Sequence, residues 1–222
     1  KFVIDSNVLP TSLARIIIII IITMMEEKEE ENNKAESAID FFQQIGQLKL
    51  IKRTGWTRHE GISAKCESVA EHSFRIAMMA LVFGLQDKTG LDLKNLISIA
   101  LVHDICESIV GDITPLCGIS KEEKRAKEER AMESLRETLG RENGGLEIER
   151  LWFEYENQES REAKVVKEMD KLEMLVQAME YECAYEGVCL DEFYESCDGA
   201  FLTDTGKAWC ESIVKRRPTK ER

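Results

Sequence analysis

Two of the three histidines in this chain sit where water should not reach. His72 has Val69 three residues before it and Ile76 four after it; His103 has Ile99 four before and Cys106 three after. Positions three and four apart share one face of a helix, so both imidazoles fall on apolar stripes. Asp104 follows His103 directly, and Glu107 lies four residues beyond His103, on the same face of a continuous helix. Asp170 stands between Val166 and Met174 at the edge of a third apolar stripe. Burying a carboxylate is costly unless it is paired or metal-bound. Two imidazoles and two carboxylates offset that cost together if they hold one divalent cation, and a mixed nitrogen and oxygen donor set suits Mn, Fe, Co, Ni or Zn. The competing reading makes each histidine a hydrogen-bonded core residue, because spacing alone does not bring separate helices to one point.

The elements that must position these groups read as helices. Ser37 to Asp40 can cap a helix with Ile39, Phe42, Ile45 and Leu48 on its apolar face. The segment from Arg53 to Lys65 loses the period and is a loop. Ser68 and Glu71 form a capping box that opens a helix with Val69, Ile76, Met79, Ala80 and Phe83 on one side. Asp92 caps the next helix, expected to run through Leu96, Ile99, Ala100 and His103 to Val110, where Gly111 and Thr114-Pro115 stop it. Ser120 and Glu123 open a charged, exposed helix to about Leu139. A shorter helix covers 146–157, a long one Ser160 to Ala184, and one or two more lie near 190–197 and 203–215. No strand alternation and no internal repeat is present. The fold class is all-α, a helical bundle.

Composition narrows the function. A chain of 222 residues is one domain with appendages, and 43% hydrophobic with 32% charged residues fits a globular body. A net charge of −12 argues against a partner that is a nucleic acid polymer. The seven cysteines form no CxxC pair and read as free thiols in a reducing, cytoplasmic setting. Lys1 in place of Met points to a fragment or a trimmed product. Ile16 to Ile22 are seven isoleucines in a row, about half of the roughly 20 apolar residues a span needs. No small-residue cleavage site follows, only the acidic run from Glu26 to Glu31. A membrane anchor at residues 16–25 is the minority reading against an appendage, and residues 26–35 read as a solvated linker or an exposed helix start. The expected organisation is an N-terminal segment at 1–36, the functional domain at 37–217 and a tail at 218–222.

Arg53-Thr-Gly-Trp56, Glu67-Ser-Val-Ala-Glu-His72, Leu101-Val-His-Asp-Ile-Cys-Glu107 with Gly111-Asp112, and Met169-Asp-Lys-Leu-Glu-Met174 resemble the HD-domain metal-dependent phosphohydrolases. Within them they look like the group of bacterial 5′-deoxynucleotidases and their eukaryotic relatives. The resemblance covers about residues 38–215. It implies that His72, His103, Asp104 and Asp170 ligate a divalent metal, that Glu107 is the catalytic carboxylate, that Asp112 contacts a sugar hydroxyl and that Arg53 helps hold the nucleotide. It further implies a homodimer, and hydrolysis of a nucleoside 5′-monophosphate to nucleoside and phosphate. One departure stands out. The bacterial enzymes place a sugar-screening tryptophan directly after the arginine, whereas here Thr54 follows Arg53 and Trp56 comes three residues after it. Two other readings compete: an HD hydrolase of another phosphoester, such as a cyclic nucleotide, a guanosine polyphosphate or a triphosphate, and a non-catalytic metal-binding interaction domain. Glu71 is read as a cap and His59 as a surface residue; Arg58, Lys65 and Arg75 receive no role.

Overall fold

A computed structural model describes residues 12–197 and 199–218. Residues 1–11 of the expected N-terminal segment and 219–222 of the expected tail lie outside that range. The helices are α1 (Ser12–Ile45), α2 (Thr54–Thr57), α3 (Val69–Gln86), α4 (Leu93–Val102), α5 (Glu107–Val110), α6 (Lys121–Leu139), α7 (Leu146–Glu156), α8 (Arg161–Ala184), α9 (Asp191–Glu195) and α10 (Asp204–Lys215). The described residues contain no strand, only an isolated bridge between Lys52 and Ser68. The all-α expectation holds.

The caps read from the sequence are in place. Ser68 and Glu71 form a reciprocal capping box at α3, and Asp92, Ser120 and Ser160 each accept backbone N–H groups at the starts of α4, α6 and α8. Two elements differ from expectation. The first is α1, which is continuous from Ser12 rather than beginning at Ser37. No Gly or Pro interrupts that stretch, and its Glu and Lys residues are good helix formers supported by the Lys34–Glu30 pair. Its inward face is Ala38, Phe41 and Ile45; Ile39 and Phe42, expected inside, are exposed.

The second difference is that α4 ends at Val102, and α5 starts only at Glu107. Between them, i→i+3 hydrogen bonds such as Ile105 N–H to Val102 O and Glu107 N–H to Asp104 O tighten the backbone. Neighbours on a regular α-helix point about 100° apart. The tight turn instead lets His103 and Asp104 face the same point.

The core lies between α3, α4 and α8, with α6, α7 and α10 packed around them. Ile76, Leu96, Ile99, Met132, Trp152, Met169 and Leu172 are fully buried there. Gly84 permits the close approach of α3 to α4, since a Cβ added to it would stand 2.5 Å from Leu93 Cδ1. On the opposite side of α3, Phe74, Met78, Val82 and Leu85 form an exposed apolar stripe at helical spacing. Among the described residues, no helix is long and apolar enough to cross a membrane.

Candidate metal centre

Two elements bring three donors within ligand distance of one another, and a third sets Asp170 beside one of them. α3 carries His72, the turn after α4 carries His103 and Asp104, and α8 carries Asp170. His72 Nε2 lies 3.5 Å from Asp104 Oδ2 and 3.4 Å from Asp170 Oδ1, and His103 Nε2 lies 3.1 Å from Asp104 Oδ2. The two imidazole centroids are 5.6 Å apart. His72 Nε2, His103 Nε2 and Asp104 Oδ2 are buried and make no hydrogen bond. Unpaired buried polar atoms are rare and costly, and these three converge within ligand distance of one another. A divalent cation satisfies all of them together, so the donor set fits such an ion.

The outward nitrogens of both histidines are occupied. His72 Nδ1 faces Glu173 Oε2 at 2.5 Å, and His103 Nδ1 donates to the Ala100 carbonyl at 2.8 Å. Those bonds leave each Nε2 free to point inward. Behind Glu173 lies a second buried carboxylate, Glu67, which accepts from Trp56 Nε1 at 2.9 Å. Burial, reinforced by Glu173, pushes Glu67 up to about 7. On the other side, Asp170 Oδ2 accepts from Tyr155 Oη at 3.2 Å and from Lys167 Nζ at 3.0 Å.

Burial opposes ionisation of Asp104, but His103, Arg53 and His72 outweigh it and hold the carboxyl below its ordinary value. Burial likewise opposes ionisation of Asp170, and Lys167 and His72 reverse the balance. Glu107 differs. It is 4% exposed, and burial, Asp104 and Asp112 together raise it well above the ordinary carboxyl range despite Arg53. Its Oε2 is buried without a hydrogen bond.

Arg53 links this centre to a cleft of about 410 Å³ bordered by Trp56, Asp112, Leu116, Met174 and Phe193. Its Nη1 lies 3.5 Å from Asp104 Oδ2 and 3.9 Å from Asp112 Oδ1. Burial opposes its charge, and Asp104 and Asp112 more than restore it. Gly111 turns the chain at φ 76°, in the left-handed region where Gly is favoured, and so presents Asp112 to the cleft. Thr54 then clamps Asp112: its N–H donates to Oδ2 at 2.6 Å and its hydroxyl to the Asp112 carbonyl at 2.7 Å. The residue in the tryptophan's place after the arginine therefore anchors an acid.

Trp56 is 2% exposed and packs on Phe193 with centroids 4.2 Å apart, forming a wall of the cleft. His59 is not a surface residue as expected. Its ring lies 5.7 Å from Phe193 and its Nε2 3.4 Å from Glu192 Oε1, because α9 folds over the loop that carries it.

Sequence reasoning gave no role to Glu173, Glu67, Lys167, Tyr155 or Thr54. For Glu173 a signal existed: an acid three residues after Asp170, set between Leu172 and Met174 in an apolar run. Tyr155 carries no such signal, since it reaches Asp170 from a different helix.

A helical bundle that brings a histidine and a His-Asp pair together, with an aspartate of a third helix beside them and an arginine leading to a cleft, defines a helical protein with a candidate site for a divalent metal. The model of the HD domain matches residues 45–208, and the chain belongs to that family. It is 44% identical over 167 residues to the 5′-deoxynucleotidase HDDC2 of Xenopus laevis, covering 75% of this chain and 80% of that one. It is 39% identical over 180 residues to the 5′-deoxynucleotidase YGK1 of Saccharomyces cerevisiae, covering 80% and 81%. Among solved structures, a conserved hypothetical protein from Pyrococcus furiosus superposes with a TM-score of 0.64 at 30% identity, covering 81% of this chain and 98% of that one.

Proposed function

We propose that the protein is a 5′-deoxynucleotidase: a metal-dependent phosphomonoesterase that converts deoxynucleoside 5′-monophosphates to nucleoside and inorganic phosphate. The observation that carries this reading is the convergence of unpaired, buried donor atoms from His72, His103 and Asp104 beside Arg53, which also borders a cleft. The relatives named for this activity support the substrate class.

His72, His103, Asp104 and Asp170 would hold the divalent cation. When bound, the cation supplies Lewis-acid activation of the attacking water and neutralises charge on the phosphoryl group. Arg53 offers its planar fork to the phosphate oxygens, a geometry that suits arginine better than lysine. Glu107 carries the proton that moves between water and the leaving 5′-oxygen; its burial keeps solvent from competing for that proton. Asp112, with Oδ2 held by Thr54, turns its remaining lone pairs toward a sugar hydroxyl. Trp56 and Phe193 wall the region beside the sugar and base.

The catalytic unit is the span 37–217, and the exposed stripe of α3 serves a homodimer. The absence of any disulfide among the described residues favours a reducing cytoplasm.

The test is phosphate release from a panel of monophosphates, deoxy and ribo, by protein loaded with Mn or Co, alongside a cyclic nucleotide, a guanosine polyphosphate and a triphosphate. Turnover of deoxynucleoside monophosphates that Glu107→Ala abolishes is the expected result. Turnover confined to the other phosphoesters overturns the substrate assignment, and none on any compound favours the interaction domain.

A further inference from the structure

Asp170 is the donor whose two oxygens have different surroundings. Oδ1 faces the cluster, 3.4 Å from His72 Nε2. Oδ2 faces away and accepts from Tyr155 Oη at 3.2 Å and Lys167 Nζ at 3.0 Å. Lys167 Nζ also donates to Tyr155 Oη at 3.0 Å, so the three groups close a ring of hydrogen bonds. Tyr155 is 4% exposed and presents its ring edge-on to His103, with centroids 5.3 Å apart. One side chain from α7 therefore packs against one donor of the centre and hydrogen-bonds another, while Lys167 stands one helical turn before Asp170 on α8.

We infer that Lys167 and Tyr155 are positioning residues that restrict Asp170 to donation through Oδ1 alone. A carboxylate that chelates through both oxygens must bring both to similar distances from the ion, and an Oδ2 already bonded to a hydroxyl and an ammonium does not turn inward. With one atom each from His72, His103, Asp104 and Asp170, a cation that takes six ligands would keep two positions, for a water and for a phosphate oxygen, and an Asp170 chelating through both oxygens would take one of them. Lys167 also supplies positive charge beside a site rich in carboxylates, without itself touching substrate. The inference rests on the metal centre proposed above. The bland alternative treats Lys167 and Asp170 as a surface ion pair, for which the half-exposed lysine side chain argues and the buried Tyr155 hydroxyl, shared between them, argues against.

The experiment compares cobalt-loaded wild-type protein with Tyr155→Phe, Lys167→Met, the double variant and Lys167→Arg. Two readouts are taken: the visible absorption of Co(II), which weakens as coordination number rises, and the dissociation constant of Co(II) by competition with a chelator. In the double variant Oδ2 is released. The absorption is expected to fall, and cobalt to bind about tenfold to a hundredfold more weakly, as for loss of outer partners of metal ligands. Lys167→Arg, which keeps charge and donors, is expected to restore the wild-type spectrum. A weaker affinity with an unaltered spectrum overturns the inference, because it reports lost charge rather than a freed oxygen. Both readouts unchanged overturn it too. Should the double variant fail to fold, the single variants decide: a spectrum unaltered in both overturns the inference. Wild-type protein that takes up no cobalt overturns the metal centre itself, a result distinct from the others.

Discussion

Glu173 Oε2 lies 2.5 Å from His72 Nδ1, and both side chains are fully buried. A carboxylate at that position fixes the imidazole tautomer. Nδ1 carries a hydrogen and donates it, which leaves Nε2 as the nitrogen for which an ion and a proton compete. Glu173 is held in turn by Arg75, whose Nε lies 3.4 Å from the other carboxylate oxygen. Glu173→Gln keeps the shape but loses the charge. Affinity for Mn or Co is expected to fall by about tenfold, read by chelator competition. An unchanged affinity removes Glu173 from the centre.

The same histidine sets the pH dependence of metal uptake. Burial and Arg53 both lower the His72 pKa, but the carboxylate of Asp170 beside Nε2 and that of Glu173 on Nδ1 outweigh them and raise it to about 9. The ion and a proton compete for Nε2, so below that pH each bound ion must release one proton from this ring. Asp104 and Asp170 are already ionised by their neighbours and release none. The apparent affinity is expected to climb about tenfold per pH unit from neutrality and to level off near 9. Calorimetry in two buffers of different ionisation enthalpy counts the released proton directly. A flat affinity between pH 6 and 9 contradicts the assignment.

Glu107 tests the chemistry apart from binding. It lies next to the donors but is held to them only through its backbone N–H, which donates to the Asp104 carbonyl at 3.0 Å. Glu107→Gln preserves size and leaves the four donors untouched. Metal content is expected to match wild type, and kcat to fall by about 10²- to 10⁴-fold, the usual worth of a proton carrier. Activity within twofold of wild type excludes that role.

Much of this centre was legible because its residues violate their surroundings. An imidazole at 72 and another at 103, each among apolar neighbours at helical spacing, mark places where a polar group is buried for a reason. The turn at 103–106 was not legible. No Gly or Pro announces the end of α4, and only tertiary packing stops it at Val102. The inward face of α1 was misread by one residue, since Ala38, Phe41 and Ile45 fit a helical stripe as well as Ile39, Phe42 and Ile45 do. Tyr155 and Lys167 were out of reach because which side of α7 meets α8 is decided by the bundle, not by either helix alone. Thr54 was read as a departure from a pattern, while its contact with Asp112 lies 58 residues away along the chain.

The apolar stripe of α3 predicts self-association. Phe74 and Leu85 are 67% and 69% exposed, and Met78 and Val82 lie between them on the same face. Contiguous apolar patches of this kind are uncommon on monomers, and a stripe along one helix is self-complementary about a two-fold axis. Sedimentation equilibrium is expected to report a dimer for wild type and a monomer for the double variant Met78→Glu, Leu85→Glu. Monomeric wild-type protein removes the stripe as an interface between copies.

Glu128 offers a test of stability away from the centre. It is 7% exposed on α6, with Lys124 Nζ 3.4 Å from its Oε1. Burial raises its pKa from an ordinary 4.5 to about 7, with Glu156 adding to the rise and Lys124 opposing it. The sign follows from the two states. Below the ordinary value both folded and unfolded chains bind the proton, and the group is neutral in its effect. As pH rises from there to about 7 the unfolded chain gives up the proton while the fold retains it, so stability falls. Above 7 both are ionised and the loss stays constant. Glu128→Gln cannot ionise and escapes this loss, though it forgoes the pairing with Lys124 at every pH where that pair exists. The melting temperature of the variant, relative to wild type, is therefore expected to be higher at pH 8 than at pH 5. Equal differences at the two pH values would mean that Glu128 titrates in the fold as it does in water, and that the contact with Lys124, rather than burial, governs its charge.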